Sequence, residues 1–265
     1  MAKIEQDKYY TPRELAKRCY NTVLSVLGEE NITEIIEPSA GDGAFLDCNP
    51  DIIGYDIAPE REDITEADFL ELSFSYREGR LFIGNPPFGT RMGLATKFFK
   101  HCVPVADYIA FILPISQLNN TNTLYEFDLI HSEDLGLQDY SGVKLHCVFN
   151  IYRRPKNGIL NPKPVHKMKG VTICRNDSRK YPTFPYDIRM CAWGDATAGK
   201  ILSDDEEYAA VYKIAISDAL PNKDEIISFI RGFDWNGCVG GVAAKKIQQH
   251  HIITVLKEQF KECSL

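Results

Sequence analysis

Apolar residues in this chain gather in short tight runs between polar stretches. Ile35-Ile36, Ile52-Ile53 and Leu81-Phe82-Ile83 each stand within such a stretch, and they predict strands at about 33–37, 52–56 and 81–84, alternating with helices in the α/β manner. Residues 12–27 carry helical spacing, with Pro12 in the first turn, Thr11 placed to cap it and Gly28 to close it. A second helix is predicted from Arg91 to His101. The continuous apolar run of residues 107–113, bounded by Pro114, suits a strand buried on both faces. Leu124–Ile130 reads as a short helix, and the looser alternation of Leu145–Tyr152 as the strand that ends the sheet. Beyond it Pro155, Pro162, Pro164, Pro182 and Pro185 interrupt the chain, so residues 155–200 are expected to be irregular with short strands. The acidic run Asp204-Asp205-Glu206-Glu207 reads as a helix amino terminus, followed by helices over Asp224–Arg231 and Lys245–Phe260. The pattern divides the chain into a larger α/β domain, residues 1–153, and a smaller region, residues 154–265.

Composition agrees with a globular protein: 44% hydrophobic and 25% charged residues. No run approaches the eighteen or so apolar residues of a membrane helix, and the polar residues 1–7 lack a signal-peptide core. A cytoplasmic protein with no membrane partner is therefore expected. Eight cysteines stand singly with no Cys-x-x-Cys pair, so reduced thiols and no metal site are expected. A formal net charge of −7 argues against a nucleic-acid partner until its distribution is read. From Lys144 to Lys200 twelve Lys and Arg face three acids, a local net of +9, leaving −16 for the rest. Binding phosphates requires a basic surface, not a basic protein. Arg153-Arg154-Pro155-Lys156 and Arg175…Arg179-Lys180-Tyr181 interleave charge with aromatic and backbone-breaking residues, a composition that suits a DNA-reading surface.

The chemistry concentrates in four places. Asn85-Pro86-Pro87-Phe88 follows the third predicted strand. Two prolines cannot continue a helix or donate to a ladder, so the segment leaves as a stiff loop that fixes the Asn85 amide and the Pro86 carbonyl as acceptors beside the ring of Phe88. That set suits an exocyclic amino group on a planar ring. Upstream, Glu37-Pro38-Ser39-Ala40-Gly41-Asp42-Gly43 is a strand end running into a small-residue loop. Its glycines permit positive φ and close backbone approach, but it matches neither the dinucleotide nor the phosphate-loop spacing. Glu37 repels phosphate and suits a cationic or amino-bearing ligand. Asp56 ends the second strand, where an acid accepts ribose hydroxyls. Asp68-Phe69 offers a carboxylate and a ring suited to an adenine edge and face.

This order of elements resembles the S-adenosylmethionine-dependent amino-group methyltransferases, and Tyr9-Tyr10-Thr11-Pro12 resembles the Tyr-x-Thr-Pro element of DNA adenine-N6 enzymes in which cofactor elements come first and target recognition last. The resemblance spans residues 8–153. It implies a Rossmann-like methyltransferase sheet with helices on both faces and a smaller carboxyl-terminal target-recognition region. It implies S-adenosylmethionine as cofactor, held by Tyr9, Thr11, Pro12, Glu37, Ala40, Gly41, Asp42 and Gly43 around the methionine portion, by Asp56 and Ile57 at the ribose, and by Asp68 and Phe69 at the adenine. Asn85, Pro86, Pro87 and Phe88 are the implied catalytic loop. Phe149 or Tyr152 covers another face of the flipped base, with a core role for both equally open, and Arg153 and Arg154 meet the DNA backbone. The implied partners are double-stranded DNA and a cognate restriction endonuclease.

Rival readings remain on the sequence alone. Asn-Pro-Pro-Phe followed by Gly89-Thr90 also resembles RNA adenine-N6 enzymes. Protein-glutamine enzymes usually carry Tyr at the position of Phe88, and cytosine-N4 enzymes more often begin the tetrapeptide with Ser. A nucleic-acid-binding protein that has lost catalysis is opposed by the intact Asn85, Gly41 and Asp56. His250-His251 reads as a solvated helix face, His146-Cys147 as neighbours on opposite strand faces, and Trp193 and Trp235 as core anchors or DNA wedges.

Overall fold

The computed structural model describes residues 10–140, 142–164, 166–176, 183–238 and 246–260. The chain forms two compact units, Met1–Pro164 and Val165–Leu265. In the first, α1 (Arg13–Leu27) precedes β1 (Glu34–Glu37), β2 (Ile53–Asp56), β3 (Ile64–Glu66) and β4 (Arg80–Gly84), then α2 (Gly93–Cys102), β5 (Tyr108–Pro114), β6 (Asp128–Tyr140) and β7 (Val143–Arg153). The strands form one sheet in the order β3-β2-β1-β4-β5-β7-β6. β1 to β5 are parallel, and β7 lies antiparallel between β5 and β6. This is a Rossmann-like α/β sheet.

Strand periodicity sorts the apolar residues into two cores. Ile35, Leu81, Ile83, Ala110, Ile112, Phe149 and Ile151 face one way, onto Leu15, Cys19 and Val23 of α1. Ile36, Phe82, Ile109, Phe111, Leu113, Val148 and Tyr152 face the other, onto Ala95, Phe98 and Phe99 of α2. Because neighbouring side chains point to opposite faces, the continuous runs of β4 and β5 serve both layers, which is why they lack polar alternation.

Several expectations need correction. Thr11 does not cap α1; Pro12 occupies the cap position, with no side-chain cap bond, and Thr11 is buried. The segment read as a helix at 124–130 instead leads into the thirteen-residue strand β6. Its polar, weakly patterned residues take strand form because they pair with β7 from Asp128↔Arg153 to Tyr140↔Val143. The first unit also extends past residue 153. The Arg154 N–H donates to the Asp107 carbonyl (2.8 Å) and the Asn161 N–H to the Glu126 carbonyl (2.9 Å), tying the chain back onto the sheet.

The second unit holds β8 (Val171–Arg175), β9 (Ile188–Cys191), β10 (Ile201–Leu202), β11 (Val211–Ile216), α3 (Lys223–Gly232) and α4 (Gln249–Gln259). Its sheet has the antiparallel order β10-β9-β11-β8. Ile188, Met190, Tyr212, Ile214 and Ile216 pack with Ile226 and Ile230 of α3 and Ile252, Ile253 and Leu256 of α4. The acidic run 204–207 starts no helix. The Glu206 carboxylate accepts from the Ser203 N–H and hydroxyl and pairs with Lys200 (2.5 Å), closing a turn before β11, a strand the sequence reading does not contain. Trp235 is a core anchor whose indole N–H donates to the Ile230 carbonyl (2.9 Å), whereas Trp193 is exposed. His250 and His251 are half-buried rather than solvated, and burial, then His251 and His166, push His250 down to about 4. Among the described residues no helix is long and apolar enough to cross a membrane.

Candidate active site

The strand order reverses between β1 and β4, and in open α/β sheets ligands bind in the crevice at such a point, beyond the carboxyl ends of the strands. Glu37 closes β1, Asp56 closes β2 and Asn85 follows β4, so three of the four candidate segments converge there. They line a cavity of about 300 Å³ together with Thr11, Ala40, Gly41, Asp42, Ile57, Asp68, Phe69, Pro86, Pro87 and Phe88.

Local chemistry explains the cradle. Gly41 sits at φ 55°, and a Cβ there would stand 3.6 Å from the Tyr10 ring. Its N–H donates to Asp56 Oδ2 (2.7 Å), while the Ala58 N–H donates to Oδ1 (2.8 Å). The Asp56 carboxylate is thus locked in place, and each oxygen keeps a second lone pair for a ligand hydroxyl. Arg13 clamps the same loop through Asp42 Oδ1 (3.1 Å) and the Asp42 carbonyl (3.0 Å), and Arg61 holds the Gly43 carbonyl (3.2 Å) and Asp47 (2.5 Å).

Glu37 is the electrostatic centre of the cavity. It is 2% exposed, and among the described residues its Oε2 has no hydrogen-bond partner. Burial first, then Asp42 and Asp56, hold its carboxyl well above the ordinary value of 4.5. An orphaned acceptor among like charges is costly unless a cation or amine meets it. Asp68 accepts the Leu70 N–H (3.0 Å) and caps a single helical turn. Phe69 is 1% exposed and stacks on Phe98 with centroids 5.4 Å apart, inside an aromatic cluster. Much of the remaining apolar wall therefore comes from Ile57, Leu70, Leu94 and Phe98. The donor set fits S-adenosylmethionine: acids for a sulfonium and an ammonium, a locked carboxylate for a diol, an apolar slot for a purine and, among the described lining residues, no Lys or Arg to meet a phosphate.

Not every candidate reaches the cavity. Pro12 and Gly43 do not line it; one starts α1 and the other anchors Arg61. Tyr9, with Arg179, Lys180 and Tyr181, lies outside the described residues. Phe149 and Tyr152 are fully buried core residues on opposite faces of β7, not base-stacking surfaces. Since β7 runs antiparallel and pairs Arg153 with Tyr108 at the start of β5, Tyr152, Arg153 and Arg154 sit at the end of the sheet away from the cavity. Arg154 is consumed there: its guanidinium pairs with Asp107 (3.2 Å), donates to the Val103 (2.5 Å) and Ala106 (2.8 Å) carbonyls, and lies over the rings of Tyr76 and Phe127. The sequence reading missed Tyr10, Leu94 and Phe98 as lining residues. Tyr10 is the variable position of its own motif, and the other two lie on α2, whose cavity-facing side only the packing defines.

No family profile matches the chain. It is similar to the type II methyltransferase M.CvrRI of Paramecium bursaria Chlorella virus XZ-6E, with 25% identity covering 65% of this chain and 55% of that protein. The chain thus spans about half the length of this curated relative. Among solved structures, a 23S rRNA methyltransferase, ErmE, aligns over 56% of this chain and 70% of its own with 16% identity and a TM-score of 0.42. A type I restriction-modification methyltransferase subunit from Streptococcus thermophilus covers 56% and 45% with 14% identity and a TM-score of 0.40. Magnesium protoporphyrin IX methyltransferase from Synechocystis PCC 6803, solved with bound S-adenosylmethionine, covers 53% and 79% with 10% identity and a TM-score of 0.39.

Proposed function

We propose that this chain is an S-adenosylmethionine-dependent methyltransferase that modifies adenine N6 in double-stranded DNA, as the modifying half of a restriction–modification pair with a cognate endonuclease. The observation that carries the reading is the meeting, in one cavity, of the Glu37–Asp42–Asp56 acid cluster with the Asn85-Pro86-Pro87-Phe88 loop. The likeness to a type II methyltransferase supports the DNA arm of the proposal.

Adenine N6 is a poor nucleophile because its lone pair is delocalised into the ring. In this reading the Asn85 side-chain oxygen and the Pro86 carbonyl each accept one N6 hydrogen, drawing the nitrogen toward tetrahedral geometry and freeing the lone pair. Phe88, partly buried at the cavity wall, stacks on the base after it leaves the duplex. The cofactor supplies an electrophilic methyl group when bound. Glu37 meets its positive charge, and Asp56 orients its ribose. Positioning and fixed dipoles supply the stabilisation. Residues 154–265 carry target recognition in the same reading, with the second unit as its compact part, and the protein acts in the cytoplasm.

The test is transfer of labelled methyl to unmethylated genomic DNA and, in parallel, to total RNA, with nucleoside mass spectrometry of both digests. N6-methyladenine in DNA is the expected product. Label confined to RNA overturns the DNA assignment in favour of the RNA adenine enzymes that the Asn-Pro-Pro-Phe-Gly-Thr run also resembles. Label in neither, with cofactor binding intact, points to a protein substrate such as glutamine.

A further inference from the structure

The loop that joins the candidate catalytic segment to α2 has an unusual construction. Gly89, Arg91 and Met92 lie at φ 65°, 54° and 66°, so two consecutive non-glycine residues occupy the left-handed region. Side chains rarely adopt it without a structure that enforces it, and such positions cluster at functional sites. The enforcement is visible. The Phe88 carbonyl accepts from the Leu94 and Ala95 N–H groups (3.2 and 3.4 Å), closing the excursion at its base. Met92 is buried in the α2 core, and a Cβ on Gly89 would come within 2.8 Å of Leu94 Cβ. Phe88 and Leu94 both line the cavity. Between these anchors, Arg91 is turned out to solvent.

Charge gives that placement a purpose. The cavity is walled by Glu37, Asp42, Asp56 and Asp68, a field that repels a polyanion. The arginines that brace the glycine loop are neutralised, Arg13 by Asp42 and Asp47 and Arg61 by Asp47 and Asp63. Arg91 has no ion pair or hydrogen bond among the described residues. A nucleic acid delivering a base to Phe88 must bring its phosphates past this rim, and a guanidinium suits a phosphodiester.

Resting on the reading of the site as a nucleic-acid methyltransferase, we propose that Arg91 is a positioning residue that grips a backbone phosphate beside the target nucleotide, held outward by the left-handed turn at residues 91–92.

The experiment measures equilibrium binding of the full chain to unmethylated duplex DNA across a salt series, for the wild type and for Arg91→Gln, Arg91→Lys and Arg91→Gly. Cofactor affinity is measured on the same samples to report an intact site. The expected result is that Gln and Gly lower the slope of log affinity against log salt by about 0.9, the loss of one phosphate contact on duplex DNA, that Lys keeps the slope, and that cofactor affinity is unchanged throughout. A Gln variant with the wild-type slope overturns the proposal while leaving the wild-type reading intact. So does a Lys variant as impaired as Gln, since the backbone conformation and not the charge would then matter. A wild type that shows no salt-dependent binding to DNA or to RNA overturns the nucleic-acid reading and this proposal together.

Discussion

At the amino end of the parallel strands, Arg80 pairs with Glu34 and donates to the Ser75 and Val105 carbonyls. Asp107 there accepts from the Tyr76 hydroxyl, the Gly79 N–H and the Arg154 guanidinium. At the carboxyl end, Glu37 faces Asp42 and Asp56, with one oxygen unpartnered among the described residues. Both ends use carboxylates and arginines, but the Glu34–Arg80 and Asp107–Arg154 pairs of the amino end are closed within the chain. Among the described residues Glu37 Oε2 meets no partner, and Arg153 Nε at the amino end is likewise without one. A charge cluster closed on itself stabilises a fold. One left with an orphaned acceptor is stable only as far as the surrounding sheet enforces it, and it is answered by a ligand. The contrast between those two closed pairs and Glu37 singles out Glu37, the orphaned acid that lines the cavity, as the group to probe.

The strongest test of the closed end is Arg154→Ala. It strips Asp107 of its cation at a site where both side chains are below one-fifth exposed. Breaking one partner of a buried pair costs about 3–5 kcal/mol. Urea unfolding should show a loss of that order, with cofactor and DNA affinities of the folded protein unchanged. A variant of normal stability that binds DNA poorly would return Arg154 to the role its sequence neighbourhood suggests.

At the open end, Asn85→Ala should lower methyl transfer by roughly 10²- to 10³-fold, the usual effect of deleting one preorganised hydrogen-bonding group from an active site. Cofactor affinity and unfolding midpoint should hold. Full transfer by this variant would remove the catalytic loop from the proposed chemistry.

These two positions also show how far the sequence could be read. The glycine loop, Asp56 and the Asn85–Phe88 loop were legible because each follows a short apolar run, and a parallel α/β sheet gathers all such strand ends on one side. Asp68 was legible only from its place beside Phe69 in the order of the motifs. Arg153 and Arg154 also follow an apolar run, yet they lie at the other side because β7 is reversed. Strand direction is decided by pairing between distant segments, and no local pattern encodes it. β6 was misread for a related reason: its own residues are polar, and its form comes from β7. Leu94 and Phe98 were hidden because helical spacing shows that a face is buried without showing what it is buried against.

A subtler probe of the open end is the pH dependence of Glu37→Gln. The folded-state pKa of Glu37 is raised, so between the unfolded value near 4.5 and the folded value the native state binds the proton more tightly. Its stabilising share is therefore complete below 4.5 and is lost as pH rises through the folded pKa. Thermal unfolding of the wild type and of Glu37→Gln should diverge as pH rises from 4.5, with the glutamine variant the more stable near neutrality. Saturating cofactor should narrow or reverse the difference, because the carboxylate then meets a positive charge. Parallel profiles would mean that Glu37 is satisfied within the chain and that the two ends do not differ as argued.

The smallest expected effect belongs to Tyr152→Phe, and it asks whether β7 serves the core or the substrate. The Asn150 side-chain amide donates to the Tyr152 hydroxyl (2.9 Å) and to the Gln117 carbonyl (2.8 Å), while Ser132 donates to the Asn150 oxygen (2.8 Å). Removing the hydroxyl breaks one bond of this buried set and leaves the others in place. The ring keeps its edge contact with Phe99, centroids 5.0 Å apart. The loss should be about 1 kcal/mol, the net worth of a single hydrogen bond, seen in urea unfolding. Transfer rate and KM for DNA should match the wild type, because Tyr152 is fully buried and lies at the amino end of the sheet, away from the cavity. A raised KM with unchanged stability would place Tyr152 against the substrate after all, and would require β7 to approach the cavity in a conformation other than this one.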